Sequence, residues 1–178
     1  DAFEPLVKAS RNAGIKRFIY ASSSSVYGIK EEKNVHENMK LEPITDYSKF
    51  KVECENILNL YNNKDFVTTT IRPATVCGYS KRQRLDVIVN ILSNIGFHKR
   101  EITIFGGDQL RPNIHIKDMI RAYHVIIEAD PEVINGEVFN AGWENKSVKN
   151  IAFTVKDVLG DDIKLSVTPT DDNRSYHI

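Results

Sequence analysis

The chain has 178 residues, 41% hydrophobic and 27% charged, with 24 basic and 24 acidic side chains. This composition suits one globular domain that buries a core, and a net charge of zero gives no general attraction to nucleic acid or an anionic membrane. No apolar run nears the length of a membrane span and no signal-peptide pattern is visible, so a cytoplasmic protein without a membrane partner is expected. Cys54 and Cys77 are far apart and in no metal-ligand spacing, and the five histidines are scattered. They predict free thiols in a reducing compartment and no metal site.

The predicted elements alternate. Residues 2–13 carry apolar side chains at helical spacing and stop at Gly14, and KRFIYAS (16–22) is a β-rich run. A helical pattern runs from Asp46 to about Tyr61, followed by the β-branched strand FVTTTI (66–71), closed by Pro73. Helical periodicity returns over 84–95, and ITIF (102–105) reads as a strand. A helix from Lys117 to about Ala129, a short strand at 137–141, a helix from Ser147 to Leu159 and a last strand KLSV complete the order. Strands alternating with helices of this length imply right-handed βαβ crossovers and a mostly parallel sheet. The first element is a helix feeding a strand with no strand before it, which predicts a chain cut into its fold.

Four consecutive serines, Ser22–Ser25, stand at the end of the first strand. They bury little apolar area, and a strand's carboxyl end is where an open parallel sheet holds its ligand. The next helix opens with DYSKFK, which places Tyr47 and Lys51 four apart on one face. An ammonium close to a phenol favours phenolate, as a general base working near neutrality requires.

The segments RFIYASSSSVYG, DYSKFK, IRPATVCG, FGGDQLRPNIHIKD, FNAGWENKSV and DDNRSYHI occur in this order over nearly the whole chain. In this combination the sequence resembles the extended short-chain dehydrogenase/reductase superfamily, and within it the NAD-dependent nucleotide-sugar epimerases and dehydratases. The resemblance implies a Rossmann-like, doubly wound α/β sheet lacking its N-terminal strands, with a smaller C-terminal α/β substrate-binding part. Residues 1–80 would form the end of the NAD-binding domain and 81–178 mainly the substrate part, with elements near 110–145 returning to the sheet.

The resemblance also implies roles. Ser23, three residues before Val26, would hold the sugar's reacting oxygen, Tyr47 would carry the proton, and Lys51 would bind the nicotinamide ribose and bias Tyr47 towards phenolate. Ala21, Ser22, Pro73 and Ala74 are expected beside the cofactor, NAD with NADP as the alternative, the Ser22 hydroxyl itself capping the loop through local side-chain to backbone bonds. Ser24, Thr75 and Asp86 are expected to face a nucleotide-diphosphate sugar, Arg111 and Arg174 to grip its diphosphate, and Asn90 to contact the base or ribose. Tyr27 is read as packing, His115 as structural, and Asn140 and Gly142 as a turn. The 4,6-dehydratases of the family carry Asp-Glu where this chain has Ser24-Ser25, and serine cannot supply that acid and base at neutral pH. A 4-epimerase is therefore expected, with a 4-keto-sugar reductase or a non-catalytic nucleotide-sugar binder as alternatives. The glycine-rich turn and the acidic ribose-binding residue of the family occur nowhere in the chain, which predicts a fragment of a longer, homodimeric enzyme.

Overall fold

The computed structural model describes residues 2–32 and 34–170. Helix α1 (Phe3–Asn12) ends at Gly14, whose positive φ of 79° lets its N–H reach Arg11 O and that of Ile15 reach Ser10 O. Strand β1 (Arg17–Ala21) leads into a 3₁₀ turn, Ser24–Tyr27. Helix α2 (Asp46–Asn59) starts at a reciprocal cap: the Ser48 N–H donates to Thr45 Oγ1 and the Thr45 N–H donates to Ser48 Oγ. Then follow β2 (Val67–Pro73), β3 (Thr75–Cys77), α3 (Ile88–Lys99), β4 (Glu101–Phe105), β5 (Leu110–His115), α4 (Ile116–Glu128) and the short α5 (Pro131–Ile134). Strands β6 (Val138–Ala141) and β7 (Glu144–Ser147), helix α6 (Val148–Leu159) and β8 (Lys164–Thr168) close the described chain.

Strand β2 lies between β1 and β6, both parallel to it, which explains its β-branched run: Val67 through Arg72 are all buried. Its residues Val67 and Ile71 pack with Ile114, Met119, Ile126 and Ala141 into one core. A second core forms where β4 and β8 pair in parallel beneath α3 and α6, with Ile102, Ile104 and Ala152 at its centre. Three strands form a further group, β3 parallel to β5 and β5 antiparallel to β7. The α/β, Rossmann-like class expected from the sequence is the class observed.

Three strands were not expected. β3 has three residues, β5 contains Pro112, and β7 reads ENKS, so none shows the apolar run or alternation that marks a strand. They form because partner strands complete their hydrogen bonds, which is a tertiary effect. Helix α3 begins at Ile88 rather than 84, because the segment before it is held otherwise: Asn90 Nδ2 donates to Arg84 O at 2.8 Å. Among the described residues no helix is long and apolar enough to cross a membrane.

Candidate active site

The carboxyl ends of β1 and β2 and the first turns of α2 meet at one place. The Ser22 N–H donates to Ile71 O at 2.8 Å and carries the β1–β2 pairing one residue beyond the strand. Beyond it Ser23 is extended, and its hydroxyl accepts from the Ser25 N–H at 3.2 Å and lies 2.9 Å from Ser25 Oγ. The local capping expected of Ser22 therefore belongs to Ser23. The Ser22 hydroxyl instead donates to Glu55 Oε1 in α2, because Ser22 points into the interior while Ser23 opens the turn.

Tyr47 is 58% exposed on the first turn of α2. One turn later the Lys51 ammonium donates to Ala21 O at 2.7 Å and stands 5.5 Å from the centre of the Tyr47 ring and 4.9 Å from that of Tyr20. Burial holds the Lys51 pKa below the usual lysine range, partly offset by Cys54 and Glu55. Burial also pushes Tyr20 well up, so this second tyrosine beside the lysine stays a neutral phenol.

A cavity of about 500 Å³ opens here and brings together Ser22, Ser23, Ser24 and Tyr47 from one side and Pro73, Ala74 and Thr75 from the other. Ala21 and Lys51 stand behind it, joined by their hydrogen bond. Arg84 and Val87 line it as well, and neither was expected. The helical periodicity expected from residue 84 would have put Arg84 in a helix; it lies instead in the segment before α3, and only the folded chain places it at the cavity. A second cavity of about 510 Å³ on the α4 side of the sheet, lined mostly by apolar residues such as Ile71, Ile114, Val125 and Phe139 with Asp118 and Arg121 among them, holds neither the tyrosine nor the serines.

Several expectations need correction. The Asp86 carboxylate is turned to Arg84, with Oδ1 and Oδ2 accepting at 3.0 and 2.8 Å, and does not line the cavity. That guanidinium holds the Asp86 carboxyl below the usual range. Arg111 lies on β5 opposite Lys146, its Nη1 donates to Leu110 O at 2.9 Å, and it is not among the cavity residues. Asn90 is buried, and its Oδ1 accepts from the Gly78 N–H at 3.3 Å, so it braces a loop rather than facing a ligand. Asn140 belongs to β6 and accepts a bond from Tyr27 OH at 2.7 Å. His115 caps α4 by accepting from the Lys117 N–H, a structural role. Arg174 lies outside the described residues. Among the described residues no cluster of three or more His, Cys, Asp or Glu could hold a metal.

Fold and site together define a parallel α/β protein with a Tyr-Lys helix laid across hydroxyl-rich strand ends. Residues 2–142 match the model of the "NAD dependent epimerase/dehydratase family", and the chain belongs to that family. It is 32% identical over 161 residues to an "Uncharacterized UDP-glucose epimerase YtcB" of Bacillus subtilis, covering 89% of this chain and 50% of the relative. To the dTDP-D-glucose 4,6-dehydratase of Mus musculus it is 27% identical over 140 residues, 77% of this chain and 38% of that one. The solved UDP-glucuronic acid 4-epimerase of Bacillus cereus, in complex with UDP-glucuronic acid and NAD, superimposes with a TM-score of 0.84 at 28% identity, over 97% of this chain and 55% of that one. The chain spans about half the length of the curated relatives it matches. The expected cofactor, NAD, agrees with the family and with the ligand of that structure.

Proposed function

We propose that the chain is the catalytic and sugar-binding portion of an NAD-dependent nucleotide-sugar epimerase that inverts C4 through a transient 4-keto sugar. The observation that carries this reading is the single cavity shared by Ser23, Tyr47 and Thr75, with Lys51 behind the tyrosine. In it Ser23 holds the C4 oxygen, since a hydroxyl both donates and accepts, and Tyr47 takes the proton of that oxygen and later returns it. Lys51, whose ammonium favours the phenolate, has donors beyond the one given to Ala21 O and fits the hydroxyls of a nicotinamide ribose. Pro73 and Ala74, at the exit of β2, supply the apolar wall beside the cofactor. Bound NAD supplies reversible hydride exchange at the sugar carbon.

Ser24 and Ser25 favour epimerisation over dehydration, because loss of water from C6 needs a carboxyl acid and base that neither hydroxyl replaces. Arg84 lines the cavity with its charge paired to Asp86, which leaves its remaining N–H groups to donate to a substrate oxygen. In this reading residues 1–80 complete the cofactor-binding domain, 81–178 form mainly the substrate part, and the full-length protein is a homodimer. The test uses the full-length protein with candidate nucleotide-diphosphate hexoses and no added reduced cofactor. The expected product is a C4 stereoisomer of unchanged mass, and Tyr47→Phe should lower kcat on the order of 10²-fold with little change in KM. A product lighter by one water, a need for stoichiometric NADH or NADPH, or a Tyr47→Phe variant with most of its turnover would refute it.

A further inference from the structure

Behind the serine turn lies a buried charge pair that the proposed chemistry does not use. Glu55 of α2 and Arg72 of β2 are joined at 2.6 Å between Oε2 and Nη2, with both side chains 5% exposed. Arg72 Nε also donates to Glu55 Oε1 at 3.1 Å, so the pair is bidentate. The same Oε1 accepts from the Ser22 hydroxyl. Arg72 Nη1 donates to Tyr27 OH at 2.8 Å and to Glu37 O at 3.1 Å.

A buried ion pair is weak evidence for stability, since well-packed apolar residues of similar volume often serve equally well. Its location suggests another use. Glu55 lies one and two helical turns beyond Lys51 and Tyr47 on the same stripe of α2. Ser22 directly precedes Ser23, and Arg72 directly precedes Pro73 and Ala74. The pair and its serine therefore tie together the three elements that each contribute one part of the cavity. An apolar contact tolerates sliding, whereas two parallel N–H···O bonds between planar groups allow one distance and one orientation.

We infer that Glu55 and Arg72 are positioning residues for the proposed reaction: they fix the helix carrying Tyr47 and Lys51 in register with the strand ends carrying Ser23 and Pro73–Thr75. The inference rests on the reading of Tyr47 as proton carrier. A misplacement of about 1 Å between reacting groups costs on the order of 10²-fold in rate, which is the scale expected when the register loosens.

The experiment compares the full-length enzyme with Glu55→Leu/Arg72→Met, which keeps apolar volume and removes both charges, and with Glu55→Gln, which leaves one acceptor where the arginine uses two. Thermal unfolding reports folding, and initial rates separate kcat from KM. The double variant should remain cooperatively folded and lose kcat by about 10²-fold, while KM moves by less than about threefold, and Glu55→Gln should lose about tenfold in kcat. A purely structural pair would change the melting temperature and leave kcat of the folded protein alone. Retention of kcat within about threefold in a folded double variant overturns the inference, and if that variant does not fold, unchanged kcat in Glu55→Gln overturns it instead. Tyr47→Phe run alongside keeps the two claims apart: an active Tyr47→Phe sinks the reaction assignment, whereas an inactive one beside a fully active double variant sinks only the positioning role.

Discussion

Gly28→Ala tests how tightly the serine turn is held against the loop that follows it. Gly28 closes the 3₁₀ turn with φ 73° and ψ −148°, a region open essentially to glycine alone, and its N–H donates to Ser25 O at 3.3 Å. A methyl group there would lie 2.1 Å from Glu42 O and 3.1 Å from its carbonyl carbon. That carbonyl belongs to the backbone, anchored by the Glu42 N–H to Val26 O bond at 3.1 Å, so no flexible side-chain end can move aside. Backbone strain of about 1–3 kcal/mol and overpacking of about 1–3 kcal/mol add to roughly 2–6 kcal/mol, a large share of a typical net stability. Gly14→Ala is the control, because Gly14 also has positive φ, at 79°, but nothing stands within 4 Å of a methyl group there. It should cost only the left-handed conformation, about 1–2 kcal/mol. Urea unfolding followed by far-UV circular dichroism measures both, since Trp143 is 80% exposed and a poor fluorescence probe of the core. Equal losses for the two variants would show that the Glu42 segment yields freely, and the contact argument would fail.

Other outcomes follow from single sites. Glu42 accepts from Lys30 and Lys40, whose bonds hold its carboxyl down at about 2 against an ordinary 4.5. Its contribution to stability is present above pH 4.5 and is lost as pH falls towards about 2, so a carboxyl NMR titration midpoint near the ordinary value at low salt would refute the pairing. Ile102 is fully buried in the core under α3 and α6, and Ile102→Ala should cost about 2–5 kcal/mol in urea unfolding, whereas less than about 1 kcal/mol would mean that core is loosely packed. Thr45→Ala removes the cap that starts the Tyr47 helix and should cost about 1 kcal/mol, with Thr45→Ser recovering most of it.

Local pattern was enough for the longer elements. Helices α1, α2, α4 and α6 follow from apolar spacing, with Gly14 as a stop signal for the first, and β1, β2 and β4 from β-branched or apolar runs. Helical spacing puts Tyr47 and Lys51 on one face and the serines stand out as polar residues at a strand end, but it is the combination of these segments, through its resemblance to a family, that suggests roles for them. Tertiary structure decided what local pattern does not encode. Ser22 and Ser23 are chemically identical neighbours, and only the approach of Glu55 shows which hydroxyl turns inward and which opens the turn. Asp86 was expected at the sugar, and only the fold put the Arg84 guanidinium at the cavity and the carboxylate against it. Strands β3, β5 and β7 depend on partners distant in sequence, and the Glu55–Arg72 pair joins a helix to a strand 17 residues away. Periodicity records which face of an element is apolar, whereas hydrogen-bond partners across elements are set by how those faces pack, and a buried charge is tolerated only where that packing supplies its counterpart.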